Sequence, residues 1–125
     1  MKPHHAFAAA LVVAFLVATG ASAQGHTQFD NHDRQVTQDW YKQHQSHPAI
    51  GLRNQDRLSP ADEARLQPGK PLPLKLRRKT HTAPADLRRQ LPPPPKHHRY
   101  VAVGQHVALV DDSKHIVRDI IHLHN

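Results

Sequence analysis

Arg99-Tyr100-Val101-Ala102-Val103-Gly104-Gln105-His106-Val107-Ala108-Leu109-Val110-Asp111 is the stretch that decides the fold. Two short runs rich in apolar and β-branched residues flank a two-residue loop led by glycine, which predicts an antiparallel hairpin. Tyr100 to Val103 forms one strand and His106 to Val110 the next. Glycine in the lead of Gly104-Gln105 suits a type II′ turn. Asp111-Asp112-Ser113-Lys114 supplies a second turn, and Ile116 to Ile121 a further strand. The expectation is a three-stranded antiparallel meander. Its apolar side chains alternate onto both faces, so at least one face needs cover. The helices upstream are the only cover that the chain offers.

Working back from the hairpin, Pro92-Pro93-Pro94-Pro95 reads as a rigid polyproline connector, with docking into an aromatic-lined groove as its other use. Thr82 to Leu87 opens a short helix ending near Leu91, and Leu74 to Lys79 supplies one basic turn. Ser59-Pro60-Ala61-Asp62-Glu63 combines an N-cap, a proline at the first helical position and acids in the first turn. That helix runs to about Gln67 and is closed by Pro68-Gly69. Nearer the start, Asp30 or Asn31 can cap a helix of about 12–15 residues that ends near His44 before Pro48. Phe29, Val36 and Trp40 fall near one face of it, with Tyr41 beside them. The fold class is small α+β: one N-terminal helix, short proline-delimited helices, then the meander.

The first residues stand apart from this fold. A polar start with Lys2 is followed by an apolar run from Ala6 to Gly20 and by Ala21-Ser22-Ala23. This pattern reads as a cleavable secretory signal, and the run is shorter than the roughly 20 residues that span a bilayer. The chain therefore divides into a leader over 1–23, a polar helical segment over 24–47, a proline-rich segment over 48–95 and the β element over 96–125. Export to the periplasm is the expected localisation. The chain has no cysteine, which excludes disulfide staples, thiolate metal sites and thiol chemistry. Its net charge of +7 favours an anionic partner. Few aromatics are present to stack on bases, so nucleic acid is not the expected partner. Anionic envelope components fit better, and a basic surface kept for solubility fits equally. The sequence sets no oligomeric state.

One pattern spans roughly Trp40 to Ile121. It comprises Arg57-Leu58-Ser59-Pro60, Gly69-Lys70-Pro71-Leu72-Pro73, Arg89-Gln90-Leu91-Pro92-Pro93-Pro94-Pro95, Arg99-Tyr100-Val101-Ala102-Val103-Gly104, Val107-Ala108-Leu109-Val110 and Ile116-Val117-Arg118-Asp119-Ile120-Ile121. In content and order it resembles the RcnB-like family, secreted bacterial proteins named for nickel and cobalt homeostasis. The resemblance implies a small periplasmic protein with a proline-rich lead into a C-terminal β element. It also implies a role in modulating metal efflux or envelope physiology, without known catalysis, and the candidate partners are a membrane efflux system or an anionic envelope component. Where that family commonly has a Thr-Gly turn before its last strand, this chain has Ser113-Lys114-His115.

The chemistry open to the chain is that of nitrogen and oxygen ligands. It carries 13 histidines, two of them in the leader, and imidazole suits Ni(II), Co(II), Cu(II) and zinc. Cleavage after Ala23 would expose Gln24-Gly25-His26, whose amine, backbone amides and imidazole can close a square-planar nitrogen set suited to Cu(II) or Ni(II). Cyclisation of Gln24 would abolish that set. His122 and His124, at i and i+2, share a face if the last strand continues. His44 and His47, at i and i+3, would face one ion if the helix reached them. His97 and His98 point to opposite faces of a strand, and His106 and His115 sit beside turns as surface residues. Many histidines also suit pH sensing, which needs no defined site.

No catalytic constellation appears. Ser46, Ser59 and Ser113 lie in turn or cap contexts without a nucleophile elbow, and no His-Glu-x-x-His or phosphate-cradling glycine loop is present. The expected function is a non-catalytic accessory of nickel and cobalt homeostasis that binds divalent metal weakly or modulates efflux. The alternative is an envelope interaction protein whose basic face (Arg77, Arg78, Lys79, Arg88, Arg89) holds anionic lipid or a membrane protein.

Overall fold

The computed structural model describes residues 26–123; the expected leader over 1–23, Gln24, Gly25, His124 and Asn125 lie outside the described residues. Asp30 caps the first helix, α1 (Asn31–Gln43), by accepting from the Asp33 N–H at 2.7 Å. The Asp33 carboxylate returns the bond to the Asp30 N–H and completes a capping box. The buried side of α1 is Asp33, Thr37 and Trp40, at helical spacings of four and three. Phe29 and Trp40 are buried as their pattern predicts, whereas Val36 is only half-buried. Thr37 takes the intervening position because its hydroxyl donates to the Asp33 carbonyl and so enters the interior with its hydrogen bond made.

After a single 3₁₀ turn at Asn54–Asp56 come α2 (Pro60–Arg65) and α3 (Leu74–Arg77). Ser59 caps α2 with Pro60 at the first position, as the sequence motif demands. Asp62 of α2 receives Lys75 at 3.2 Å and Lys79 at 3.7 Å, which ties α2 to the segment around α3. The hydrogen bond from Lys75 holds the Asp62 carboxyl below its ordinary range. Next are β1 (His81–Thr82), α4 (Ala85–Arg88), β2 (His98–Val103), β3 (His106–Asp111) and β4 (Ile116–His122).

The strands form one antiparallel sheet in the order β1-β2-β3-β4. The fold class is small α+β, with four strands where the sequence predicts three. The added strand pairs His81 with Ala102 and Thr82 with Val101. Two residues carry no alternation, and Pro84 draws Thr82 toward a helical reading, so β1 leaves no periodic trace. The hairpin turn also differs from expectation. Gly104 and Gln105 both have positive φ, 58° and 66°, as a type I′ turn requires. Gln105 is held there by tertiary bonds, its N–H to Gly51 O at 2.8 Å and its side-chain amide to Asn54 at 3.1 Å.

Both faces of the sheet are covered. Tyr100, Ala102, Val107, Leu109 and Ile121 pack on one face against Phe29, Trp40, Leu52 and Leu87. Val101, Val103, Ala108, Val110, Val117 and Ile120 pack on the other against Leu58, Leu66, Leu72 and Leu76. Full cover explains why the strands read as nearly continuous apolar runs despite antiparallel pairing. Val117 and Ile120 share a face although they are three residues apart. A bulge lets Leu109 pair with Asp119 and Val110 with Val117, so Arg118 is the extra residue. The bulge turns Asp119 toward α1.

The outer edge of β4 is closed by side chains of α1 and by the backbone of Gly69 and Lys70. Arg34 donates to the Ile120 carbonyl at 3.0 Å, and Gln38 donates to the His122 carbonyl at 2.9 Å. The N–H of Val117 donates to Lys70 O, and the N–H of Gly69 donates to Val117 O. These bonds occupy groups that would otherwise template pairing with another chain. Among the described residues no helix is long and apolar enough to cross a membrane.

Candidate metal centre

The two-residue hairpin loop starts β3 at His106, directly opposite Val103. The β3–β4 register then sets His106 across from His122. Their side chains emerge on the face covered by α2, and Glu63 of α2 points at the pair. His106 Nε2 lies 2.6 Å from Glu63 Oε2, and His106 Nδ1 lies 3.1 Å from His122 Nδ1. The two rings meet edge to face with centroids 4.6 Å apart. His106 is almost fully buried, Glu63 is half-buried and His122 is exposed.

These contacts constrain the protons. A carboxylate accepts, so His106 donates from Nε2 to Glu63. One proton then lies between the facing Nδ1 atoms. With His106 neutral, His122 donates it and His106 Nδ1 is the acceptor. In that tautomer His106 Nδ1 carries the lone pair a metal would need, and Glu63 orients the ring from its far side. Carboxylate-oriented histidine is a recurrent arrangement at metal centres. Two nitrogens 3.1 Å apart, each about 2.0–2.1 Å from one ion, subtend about 100° at it, within reach of tetrahedral or square-planar geometry. The ligand atoms offered by Glu63, His106 and His122 all lie within 4.8 Å of one another.

The histidines singled out from sequence fare unevenly. His122 belongs to the cluster, but its described partner is His106 across the sheet, and His124 lies outside the described residues. His44 and His47 lie just past the first helix. α1 ends at Gln43, so the two share no helical face. The His44 ring stacks on Trp40 at 4.4 Å, its Nδ1 lies 2.7 Å from Trp40 O, and its Nε2 lies 3.3 Å from Asp86. His47 is exposed and lies against Ser46. His26 is exposed beside a shallow depression shared with Thr27, Gln28, Phe29 and Asp30. Gln24 and Gly25, which would complete its nitrogen set, lie outside the described residues.

His106 is the residue that sequence reasoning misplaces. A histidine next to a turn reads as surface, yet it is buried because α2 packs over the end of the hairpin. Strand register could have paired it with His122, but only with the Arg118 bulge counted. Nothing in the sequence points to Glu63. A second grouping, Asp30 with His32 and Asp33, starts α1, and both carboxylates there are engaged in the capping box.

No family model matches the chain, and no curated protein gives a significant match. Among solved structures it is similar to the C-terminal domain of inner membrane protein CigR from Salmonella enterica. That likeness has a TM-score of 0.56 and 27% sequence identity, and it covers 70% of this chain and 81% of the other.

Proposed function

We propose that this chain is a non-catalytic accessory protein of the bacterial envelope that binds a divalent nickel, cobalt or copper ion weakly and so modulates metal handling there. The observation that carries the reading is the Glu63–His106–His122 cluster. A buried imidazole, an exposed imidazole facing it and an orienting carboxylate form an uptake site that is open on one side. Solvent or a further donor would complete the ion's shell, which suits reversible binding. The secretory pattern over 1–23, a motif order that resembles the RcnB-like family and the likeness to a domain of an inner membrane protein all support an envelope setting.

Titration calorimetry of the processed protein with Ni(II) tests the reading, with His122→Ala and His26→Ala variants alongside. His122 is exposed, so its loss should leave the fold intact. The expected result is heat of binding in the wild type and in His26→Ala, weakened at least tenfold in His122→Ala. Equal binding by wild type and His122→Ala, or no heat in either, would overturn it.

A further inference from the structure

The five basic residues that read as one face from sequence are dispersed by the fold. Lys79 pairs with Asp62, and Arg78 lines a recess with Asp56 and His81. Arg88 and Arg89 instead join Arg99, from β2, around a groove of about 440 Å³ between β1 and the polyproline segment. Thr82, Pro94 and Tyr100 complete its walls. Burial pushes the Tyr100 phenol up to about 12, and its hydroxyl donates to Pro92 O at 2.7 Å, so it contributes a ring and no charge.

The charge in this groove is only partly answered. Arg99 Nε donates to Asp112 at 2.9 Å and its Nη1 reaches the Thr82 hydroxyl at 3.5 Å, while Arg88 Nε donates to Ala83 O at 2.9 Å; Arg99 Nη2 and both terminal nitrogens of Arg88 have no partner among the described residues. Asp86, the nearby acid on α4, is turned to Trp40 and His44. Arg88 and Arg89 end α4, where cations suit the helix terminus. That preference does not account for Arg99, which arrives from another element. On the other side of Arg99 lies a smaller recess of about 100 Å³ that Arg77 also lines. Arg77 Nε is buried there without an acceptor among the described residues.

We propose that the groove between β1 and the polyproline segment binds the phosphate oxyanion of a small organic phosphate, free or displayed as a lipid headgroup. Guanidinium donors match phosphate oxygens in geometry as well as charge, and more than one of them favours phosphate over a single carboxylate. The groove is large enough for a glycerol- or sugar-sized body beside the anion, and Pro94 and the Tyr100 ring give that body an apolar wall. The site is separate from the Glu63–His106–His122 cluster and does not depend on it.

The test uses the processed protein in chelator, so metal binding plays no part. Glycerol phosphate is titrated calorimetrically, and phosphatidylcholine vesicles with and without phosphatidylglycerol are tested by co-sedimentation. Arg89→Glu removes a groove cation with no described structural contact, and Arg78→Glu makes the same charge change elsewhere. Binding of glycerol phosphate, of the anionic vesicles or of both is expected, with affinity reduced roughly tenfold or more in Arg89→Glu and little changed in Arg78→Glu. Glycerol phosphate binding alone identifies a soluble ligand, and vesicle binding alone identifies the headgroup. No binding of either probe, or equal loss in both variants, would overturn the proposal.

Discussion

His106 and His122 face each other Nδ1 to Nδ1 at 3.1 Å across β3 and β4, while Glu63 holds the opposite nitrogen of His106 at 2.6 Å. A metal entering between the Nδ1 atoms must displace the proton they share. Binding should therefore weaken as pH falls, because protons compete with the ion for the imidazole nitrogens. Glu63→Gln keeps the volume but removes the carboxylate. It should weaken Ni(II) binding about 10- to 100-fold without abolishing it. Calorimetry at two pH values checks both expectations, and a pH-independent affinity would argue that neither imidazole is a ligand.

Asp119 joins β4 to α1. It accepts the Phe29 N–H at 2.8 Å and the Arg34 guanidinium at 3.0 Å. Asp119→Ala would leave the buried Phe29 N–H unpaired, at a cost of about 1–3 kcal/mol. Urea unfolding should show a lower midpoint at unchanged slope. In the double variant Arg34→Ala, Gln38→Ala, the carbonyls of Ile120 and His122 lose their donors. That chain should self-associate at the β4 edge, seen by light scattering.

His115 ends the second turn with φ 56°, in the region that favours glycine. Its side chain is exposed, and its carbonyl accepts the Leu72 N–H at 2.8 Å, a bond any residue can make. His115→Gly should relieve about 1 kcal/mol of backbone strain, offset in part by added freedom in the unfolded chain. A net gain of a few tenths of a kcal/mol is expected in urea unfolding. Gly51 is the opposite case. Its φ is 95°, and an added Cβ would lie 2.7 Å from Ala102 O. Gly51→Ala should cost at least about 1–3 kcal/mol, because backbone and not a flexible side chain must move.

Two carboxylates make the fold sensitive to acid. Asp111 is lowered to about 2, chiefly by the Ser113 hydroxyl and also by the N–H groups of Lys114 and Ser113. Asp56 is lowered to about 2, chiefly by the Arg53 guanidinium and also by the N–H groups of Arg53 and Gly51. Both titrate lower in the folded chain than in the unfolded one, whose value is near 3.8. Their stabilisation is complete above about pH 5 and is lost as pH falls toward 2. Thermal unfolding in Asp111→Asn should show a shallower loss of Tm over that window than the wild type.

The hairpin, the Asp30 and Ser59 caps and the proline-delimited helices were legible because each depends on neighbours in sequence. A cap needs a side chain within three residues, and a strand needs alternation along itself. β1 was not legible, since two residues gain strand character only by pairing with Val101 and Ala102. The Gln105 conformation was not legible either, because Gly51 and Asn54 hold it.

The candidate sites divide along the same line. Residue type alone restricted the chemistry: without cysteine, any metal must sit on nitrogen and oxygen ligands. Position was decided elsewhere. Glu63 is 43 residues from His106, and His106 is 16 from His122. They meet because α2 packs over a bulged sheet whose register depends on Arg118. The sequence by itself determined which groups could act and which segments would fold locally. Tertiary structure decided which histidine is buried, which is paired and which arginines converge, since burial and long-range register follow from packing both faces of one sheet.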